Sequence, residues 1–367
     1  MDTLSDMSSS GTYRNLTDQR LTTAPTQVNK FIEDSVRMLW FVVLKCAMYE
    51  LFSLVGIISN VVSLSVFSRI GCHDSVNVWL VALTISDLVS LLVLLWMGVC
   101  YNPWFTYSDV TFDTWSLVYL TGGWPKIYLA RVTSWVTAFV TLERCLCIAL
   151  PLRVKAIFTR GRSIFINASI FLLIFLIMPP IYVTTGLSWQ WYPDRNKTLL
   201  GLDFTSERND IYNTVISINI ILTYLSFFVV LLSSFVLLVS LERHARWRKV
   251  KADVKPSSAT AKELKVSRMV LLIAVTFMGT YLPGTALLLV MVFVPEFNKG
   301  RTYHNLFTVV WAFVHLLEAF NSSINIFVYL KSSKFNAVFN QQFYSFQRLF
   351  KLRVIKVDVN KSHGEQF

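Results

Sequence analysis

The chain has 367 residues, of which 54% are apolar and only 15% charged, with a mean hydropathy of +0.51 and a formal net charge of +12. A water-soluble domain of this length carries about a quarter charged residues. A chain this apolar would expose more hydrocarbon than water tolerates, which excludes an ordinary soluble fold and makes lipid its solvent.

Residues 1–30 are polar and rich in Ser and Thr, with no cleavable signal ahead of the first apolar run. The segment 1–39 is expected to be a disordered, solvent-exposed tail. Seven apolar runs follow, at roughly 40–67, 78–100, 117–149, 164–185, 211–241, 269–294 and 304–330. Each supplies the ~20 residues that a helix needs to cross ~30 Å of hydrocarbon. Lys126 and Arg131 interrupt the third, but Thr133–Leu142 and Cys145–Leu150 carry its apolar pattern onward. After the seventh, Phe335, Val338, Phe339 and Phe343 recur at helical spacing, so 331–346 reads as an amphipathic helix on the membrane surface. The segment 347–367 is left as a cytoplasmic tail. The expected fold is all-α: a seven-transmembrane-helix bundle, 40–330, with a short surface helix after the last span and no second domain.

Lys and Arg in the connecting segments set the orientation. With the N-terminus outside, the inner segments 68–77, 150–163, 242–268 and 331–367 hold 1, 4, 9 and 7 basic residues. The outer segments 1–39, 101–116, 186–210 and 295–303 hold 4, 0, 3 and 2. The positive charge therefore faces anionic inner-leaflet lipid and a cytoplasmic partner, and nucleic acid is not needed to explain it. Asn15 and Asn196 head glycosylation sequons on the outer side, whereas the sequon at Asn167 falls at the inner end of the fourth span and should stay unmodified. A multi-pass plasma-membrane protein with an extracellular N-terminus is the expectation.

Polar residues inside lipid are costly, so they mark function. Asn60, Asp87, Thr133, Asn321, Ser322 and Asn325 all fall near mid-membrane when counted inward from the span ends. One carboxylate among hydroxyls and amides suits a site for Na⁺ or water; equally, it suits a network that pins the helices together.

Five stretches then resemble rhodopsin-like (class A) G-protein-coupled receptors, in the family's order and across nearly the whole chain. Gly56-Ile-Ile-Ser-Asn60 is similar to the first-helix signature, and Leu83-Thr-Ile-Ser-Asp87 to the second. Glu143-Arg144-Cys145, followed by Pro151, resembles the acid–Arg end of the third helix. Phe277, Tyr281 and Pro283 stand where the sixth helix has Phe-x-x-x-Trp-x-Pro, and Asn325-Ile326-Phe-Val-Tyr329 resembles Asn-Pro-x-x-Tyr. The departures are Tyr281 for the switch Trp, Ile326 for the seventh-helix Pro, and the missing fourth-helix Trp and fifth-helix Pro. The family disulfide cannot form either, since Tyr119 occupies the third-helix Cys position and 186–210 contains no Cys. The resemblance is to a divergent branch, of the kind found among invertebrate chemosensory or peptide-receptor-like groups.

The resemblance implies a receptor that binds an extracellular peptide or small molecule and activates a heterotrimeric G protein. Glu143 and Glu263 would hold Arg144 and clamp the third helix to the sixth, with Tyr329 in the same switch; otherwise Arg144 snorkels to lipid phosphate. Phe277, Tyr281 and Pro283 would form the sixth-helix switch. Lys126 takes the position of the aminergic receptors' ligand-binding Asp, and Ala319 that of the retinal-binding Lys, which speaks against a monoamine and against retinal. The candidate ligand residues are Lys126, Arg131, Tyr281, His315 and Glu318, with Lys126 either anchoring an acidic ligand group or pairing internally with Glu318. The only cofactor expected is Na⁺ at Asp87. No metal-spaced cluster and no nucleophile with a recognisable base appears, so an enzyme is not expected. The rival class is a transporter or channel built on Asp87, although the spans lack an acidic path and an inverted repeat.

Cys72, Cys145 and Cys147 fall on the inner, reducing side. Cys46 and Cys100 lie at matching depth in the outer halves of the first two spans. They are either a bridge tying those two helices or separate buried thiols.

Overall fold

In hydrocarbon every backbone N–H and C=O must find a partner within its own segment, so apolar runs of this length fold as helices. The structure, a computed structural model, describes residues 33–149, 157–250, 258–298 and 301–344. Seven helices in it are long and apolar enough to cross a membrane: α1 (Ser35–Ile70), α2 (Ser75–Tyr101), α3 (Thr114–Ala149), α4 (Arg160–Val183), α5 (Arg208–Val250), α6 (Ser258–Phe293) and α7 (His304–Tyr329). The seven expected spans lie on these helices, one to each. Gly71 closes α1 at φ 77°, a left-handed conformation open to glycine, and gives its N–H to Phe67. In α4 the regular helix stops at Phe175 and resumes at Pro179–Val183, where two successive prolines lack the N–H groups to continue the ladder.

Helices α2 and α3 are the most enclosed, with 61% of their apolar windows buried, whereas α4 has 22% and turns most of its surface to lipid. α1 packs on α2 and α7, α3 on α2 and α5, and α6 on α5 and α7. Gly56 permits the close approach of α1 to its neighbours, because a Cβ there would run into Ser323 of α7 and Leu91 of α2. Two π-helical stretches, Phe41–Met48 in α1 and Tyr119–Gly123 in α3, shift side chains off the 3.6-residue register. A further helix, α8, covers 333–344. Its Phe335 is buried against Phe67 and Tyr329, at ring separations of 5.2 and 5.6 Å, while Phe343 stays exposed. Val338 and Phe339, partly buried beside Phe335, share its inward face.

By its place between the fourth and fifth spans, 186–210 is an outer loop. The structure folds most of it into an antiparallel hairpin, β1 (Thr185–Tyr192) and β2 (Lys197–Phe204), with Trp189 opposite Leu200. Leu187, Trp189 and Trp191 alternate with the less exposed Ser188, Gln190 and Tyr192, which is the period of two that a strand requires. Asn196 turns the hairpin at φ 49° with its side chain exposed. Asn167 is buried and donates to the Ser163 carbonyl. The N-terminal sequon at Asn15, the loop residue Pro151 and the tail 347–367 lie outside the described residues.

Candidate functional site

Three polar layers run down the axis of the bundle. The middle one centres on Asp87 of α2, which is fully buried. Its Oδ1 accepts from Ser322 Oγ at 2.9 Å and from Thr133 Oγ1 at 3.2 Å, and its Oδ2 accepts from Asn325 Nδ2 at 2.7 Å. Ser86 lies 3.0 Å from the Thr133 hydroxyl and extends the ring. Asn60 donates from Nδ2 to the carbonyls of Gly56 and Ser322, both at 2.8 Å, and so ties α1 to α7. Asn321 is buried on α7, next in sequence to Ser322. The Ser322 and Thr133 hydroxyls and the Asn325 amide nitrogen thus satisfy both Asp87 oxygens. Among the described residues no group of three or more His, Cys, Asp or Glu side chains could hold a metal ion.

Towards the hairpin end, Lys126 of α3 meets Glu318 of α7. Its Nζ lies 3.1 Å from Glu318 Oε2 and donates to Ser90 Oγ at 2.9 Å, with both charged side chains almost wholly buried. His315 Nδ1 stands 3.4 Å from the same Glu318 oxygen. Arg131 points elsewhere: its Nη1 donates to Thr223 of α5, and its Nε is buried without a partner. Tyr281, two residues before Pro283, stacks on Phe277 one turn earlier in α6, with ring centroids 4.3 Å apart. Of the candidate ligand residues, Lys126, His315 and Glu318 therefore contact one another directly, and Arg131 and Tyr281 lie within electrostatic reach of Glu318. Counting Lys126 and Arg131 against Asp87 and Glu318, the buried charges of these two layers balance.

At the opposite end, Arg144 Nη2 binds Glu143 Oε1 at 2.6 Å, and Ser75 of α2 donates to the same oxygen. The ion pair of Arg144 with Glu143 lies within α3, and α2 supplies the further donor. Glu263 of α6 lines, with Glu143 and Arg144, a cavity of about 470 Å³ bounded also by Lys262, Tyr329 and Lys334. The Tyr329 hydroxyl reaches Thr84 of α2 at 3.3 Å.

Of the two readings of Cys46 and Cys100, the structure has the separate buried thiols. Both cysteines are free, and the Cys46 thiol donates to the Tyr101 carbonyl at 3.3 Å. Matching depth placed the two on facing helices, but Cys46 turns to the backbone one residue beyond Cys100.

What holds the hairpin in place is a set of non-covalent contacts with no signature in the sequence. Tyr119, at the position of the absent cysteine, is hydrogen-bonded to Arg208 at the start of α5. The Arg208 guanidinium lies over the rings of Tyr119, Phe204 and Tyr212 at 5.7, 5.2 and 5.3 Å and donates to Thr184 at 3.2 Å. One cation thus gathers α3, β2, α5 and the end of α4. The segment before α3 joins the hairpin as well: Asp113 N–H donates to the Leu200 carbonyl and Leu200 N–H to the Thr111 carbonyl, both at 2.9 Å. Lys197 pairs with Asp109 at 2.6 Å and Arg195 with Asp113 at 3.7 Å. The hydrogen bond from Lys197 holds the Asp109 carboxyl below the usual range. The missed partners Ser75, Ser90, Thr223 and Arg208 are single hydroxyls or a loop-end cation, and none has a spacing signature that sequence alone could supply.

A stacked polar core beneath a hairpin-capped end, with an Arg–acid pair facing a cleft at the other, is the layout of a seven-helix membrane receptor. A family model described as 7 transmembrane receptor (rhodopsin family) matches residues 59–329. The chain belongs to that family, a family of G-protein-coupled signalling receptors, and is a multi-pass membrane protein. A search of curated proteins finds no match to it.

Proposed function

We propose that this receptor sits in the plasma membrane with its N-terminus and hairpin outside, binds a peptide or a small chemosensory molecule at that end, and activates a heterotrimeric G protein at the other. The excess of Lys and Arg on the segments assigned inside supports the orientation. Exposed Asn196 at the hairpin turn is then available for glycosylation.

The observation that carries the signalling reading is Arg144, buried, bound by Glu143 and set at the mouth of the cleft between α3, α6 and α8. Outward movement of α6 would widen that cleft enough for a segment of the G protein. A ligand that favours the open state shifts the balance between two pre-existing arrangements. The Lys126–Glu318 pair ties α3 to α7 beneath the hairpin, so an acidic ligand group competing for Lys126 or Arg131 would loosen that tie. Na⁺ bound by Asp87, Thr133, Asn321, Ser322 and Asn325 would supply a removable charge in the middle layer.

Ligand-dependent nucleotide exchange in a co-reconstituted G protein, screened against peptide and odorant libraries, tests the reading. Glu143→Gln should raise ligand-independent exchange more than Glu263→Ala at equal surface expression, because Glu143 is the partner that Arg144 binds. Unchanged basal exchange in both variants would count against the clamp. Ion flux that persists without any G protein, with no exchange under any ligand, would overturn the receptor reading in favour of a transporter.

A further inference from the structure

The hairpin has one closed edge and one open edge. Along β2, the Leu200 N–H donates to the Thr111 carbonyl and the Leu200 carbonyl accepts from the Asp113 N–H, so both groups point away from β1. In an antiparallel pair the residue directly opposite then turns its own N–H and C=O outward as well. That residue is Trp189. Leu202, opposite Leu187, obeys the same parity, because its N–H donates to Ser116 Oγ at 3.2 Å. The Thr205 N–H donates to the Thr184 carbonyl at 3.3 Å, which puts the bonded pairs on the alternate positions. Leu187, Trp189 and Trp191 therefore present their N–H and C=O groups along the outer edge of β1, and among the described residues nothing pairs with them. A second observation concerns the side chains. These three share one face and are 51, 64 and 59% exposed, whereas Ser188 and Gln190 share the other face with buried Gly201 and Leu199. The strand Thr185–Tyr192 carries neither a charge nor a proline, the devices by which natural edge strands resist the addition of another strand.

We propose that the outer edge of β1 binds an extended peptide, which adds as a further strand with apolar side chains on the face of Leu187, Trp189 and Trp191. Donor–acceptor pairs repeating at every second residue, about 7 Å apart, match a polypeptide backbone and not a compact small molecule. The chain's own N-terminal segment 1–32 is a poor match, since no two of its apolar residues stand two apart. The strand β2 leads to Arg208 at the start of α5, which is bonded to Tyr119 of α3, so a strand added here acts on the helices that the hairpin joins. The inference rests on the ligand end being the hairpin end and narrows the ligand to a peptide. Its test reads docking at β1 whether or not a G protein responds.

Amide exchange of the full-length protein, held at one copy per lipid nanodisc, reads the edge directly. Without peptide the Leu187, Trp189 and Trp191 amides should exchange fast, and those of Ser188, Gln190 and Tyr192 slowly. The probe is acetyl-Lys-Val-Thr-Val-Thr-Val-Lys-amide. It should slow the three fast amides saturably, by about tenfold at about ten times the half-protecting concentration. Two analogues, N-methylated either on the valines or on the threonines, keep the side chains and the charge. One should lose the effect and the other retain it, because an extended strand turns only alternate residues to its neighbour. Trp189→Pro removes an N–H that the β1–β2 ladder does not use, and Trp189→Val keeps it. For half-protection at Leu187 and Trp191, the proline variant should need at least about tenfold more peptide than the valine variant. The methylated analogues carry the test if proline unfolds the hairpin. No protection by the probe, or equal responses to the two analogues, would overturn the proposal. Protection without peptide would overturn it too: in single-copy nanodiscs it assigns the edge to the N-terminal segment, and in two-copy nanodiscs alone to a second copy of the chain.

Discussion

The layers around Asp87 and Lys126 and the hairpin end around Arg208 both hold helices together with polar groups, yet under different dielectric conditions. In the buried layers Asp87 accepts three hydrogen bonds and Lys126 is matched by Glu318 and Ser90. There, a polar group left without its partner is heavily penalised. At the rim, one guanidinium spread over three rings, a pair of backbone hydrogen bonds and two ion pairs occupy the place of a family disulfide. Contacts there are individually weaker and several of them share the load. The Asp87 layer keeps the residues of the family signatures, while the hairpin end holds by several non-covalent contacts in the place of a covalent tie, so that loss of one contact there leaves the others in force.

The sharpest way to break this contrast is at Lys126. Lys126→Ala would leave Glu318 as an uncompensated buried charge and should cost about 3–5 kcal/mol, seen as loss of surface expression or a lowered unfolding temperature. The exchanged double variant, Lys126→Glu with Glu318→Lys, should recover most of it. Normal expression of the single variant with weakened agonist potency would instead make Lys126 a ligand anchor. The rim should respond less to a single loss. Arg208→Gln should cost about 2 kcal/mol, the scale of a hydrogen bond to a charged group, and speed amide exchange at Leu199–Leu202. Dithiothreitol should leave that exchange unchanged, since no disulfide is there to cut. Reductant-sensitive protection of the hairpin would refute the non-covalent tether.

A smaller effect is expected from the ion in the middle layer. Replacing choline by Na⁺ at constant ionic strength should weaken agonist affinity about tenfold, a coupling of about 1.4 kcal/mol, and Asp87→Asn should abolish the dependence. An affinity insensitive to Na⁺ in the unmutated receptor would leave Lys126 and Arg131 as the only counter-charges the layer needs. The smallest effect belongs to the exposed Asp109–Lys197 pair. Because the folded carboxyl is held below its ordinary value, its contribution is present above about pH 4, the unfolded range, and is lost as pH falls through the lowered value. Hairpin exchange rates should therefore not move through this pair between about pH 5 and 8, and Asp109→Asn should remove only the acid-side change.

The sequence by itself determined the seven helices, because a run of apolar residues in lipid has few other ways to satisfy its backbone. It also determined the Asp87 layer, since a carboxylate at mid-membrane is too costly to be incidental and its partners fall at the same depth on other spans. Lys126 and Glu318 were legible as two charges facing each other, though whether they pair was left open. Only the tertiary structure decided the rest. Glu143 beside Arg144 was legible as its partner, but the Ser75 hydroxyl from α2 that joins them was not. Cys46 and Cys100 shared a depth, but side-chain direction turned the Cys46 thiol to the Tyr101 carbonyl. The hairpin and its Arg208 anchor were hidden because aromatic alternation over eight residues is a weak signal outside lipid, and because their contacts join segments far apart in the chain. Burial in hydrocarbon writes a penalty into each residue and so can be read one residue at a time, whereas pairing is a property of two positions at once and exists only when the chain has folded.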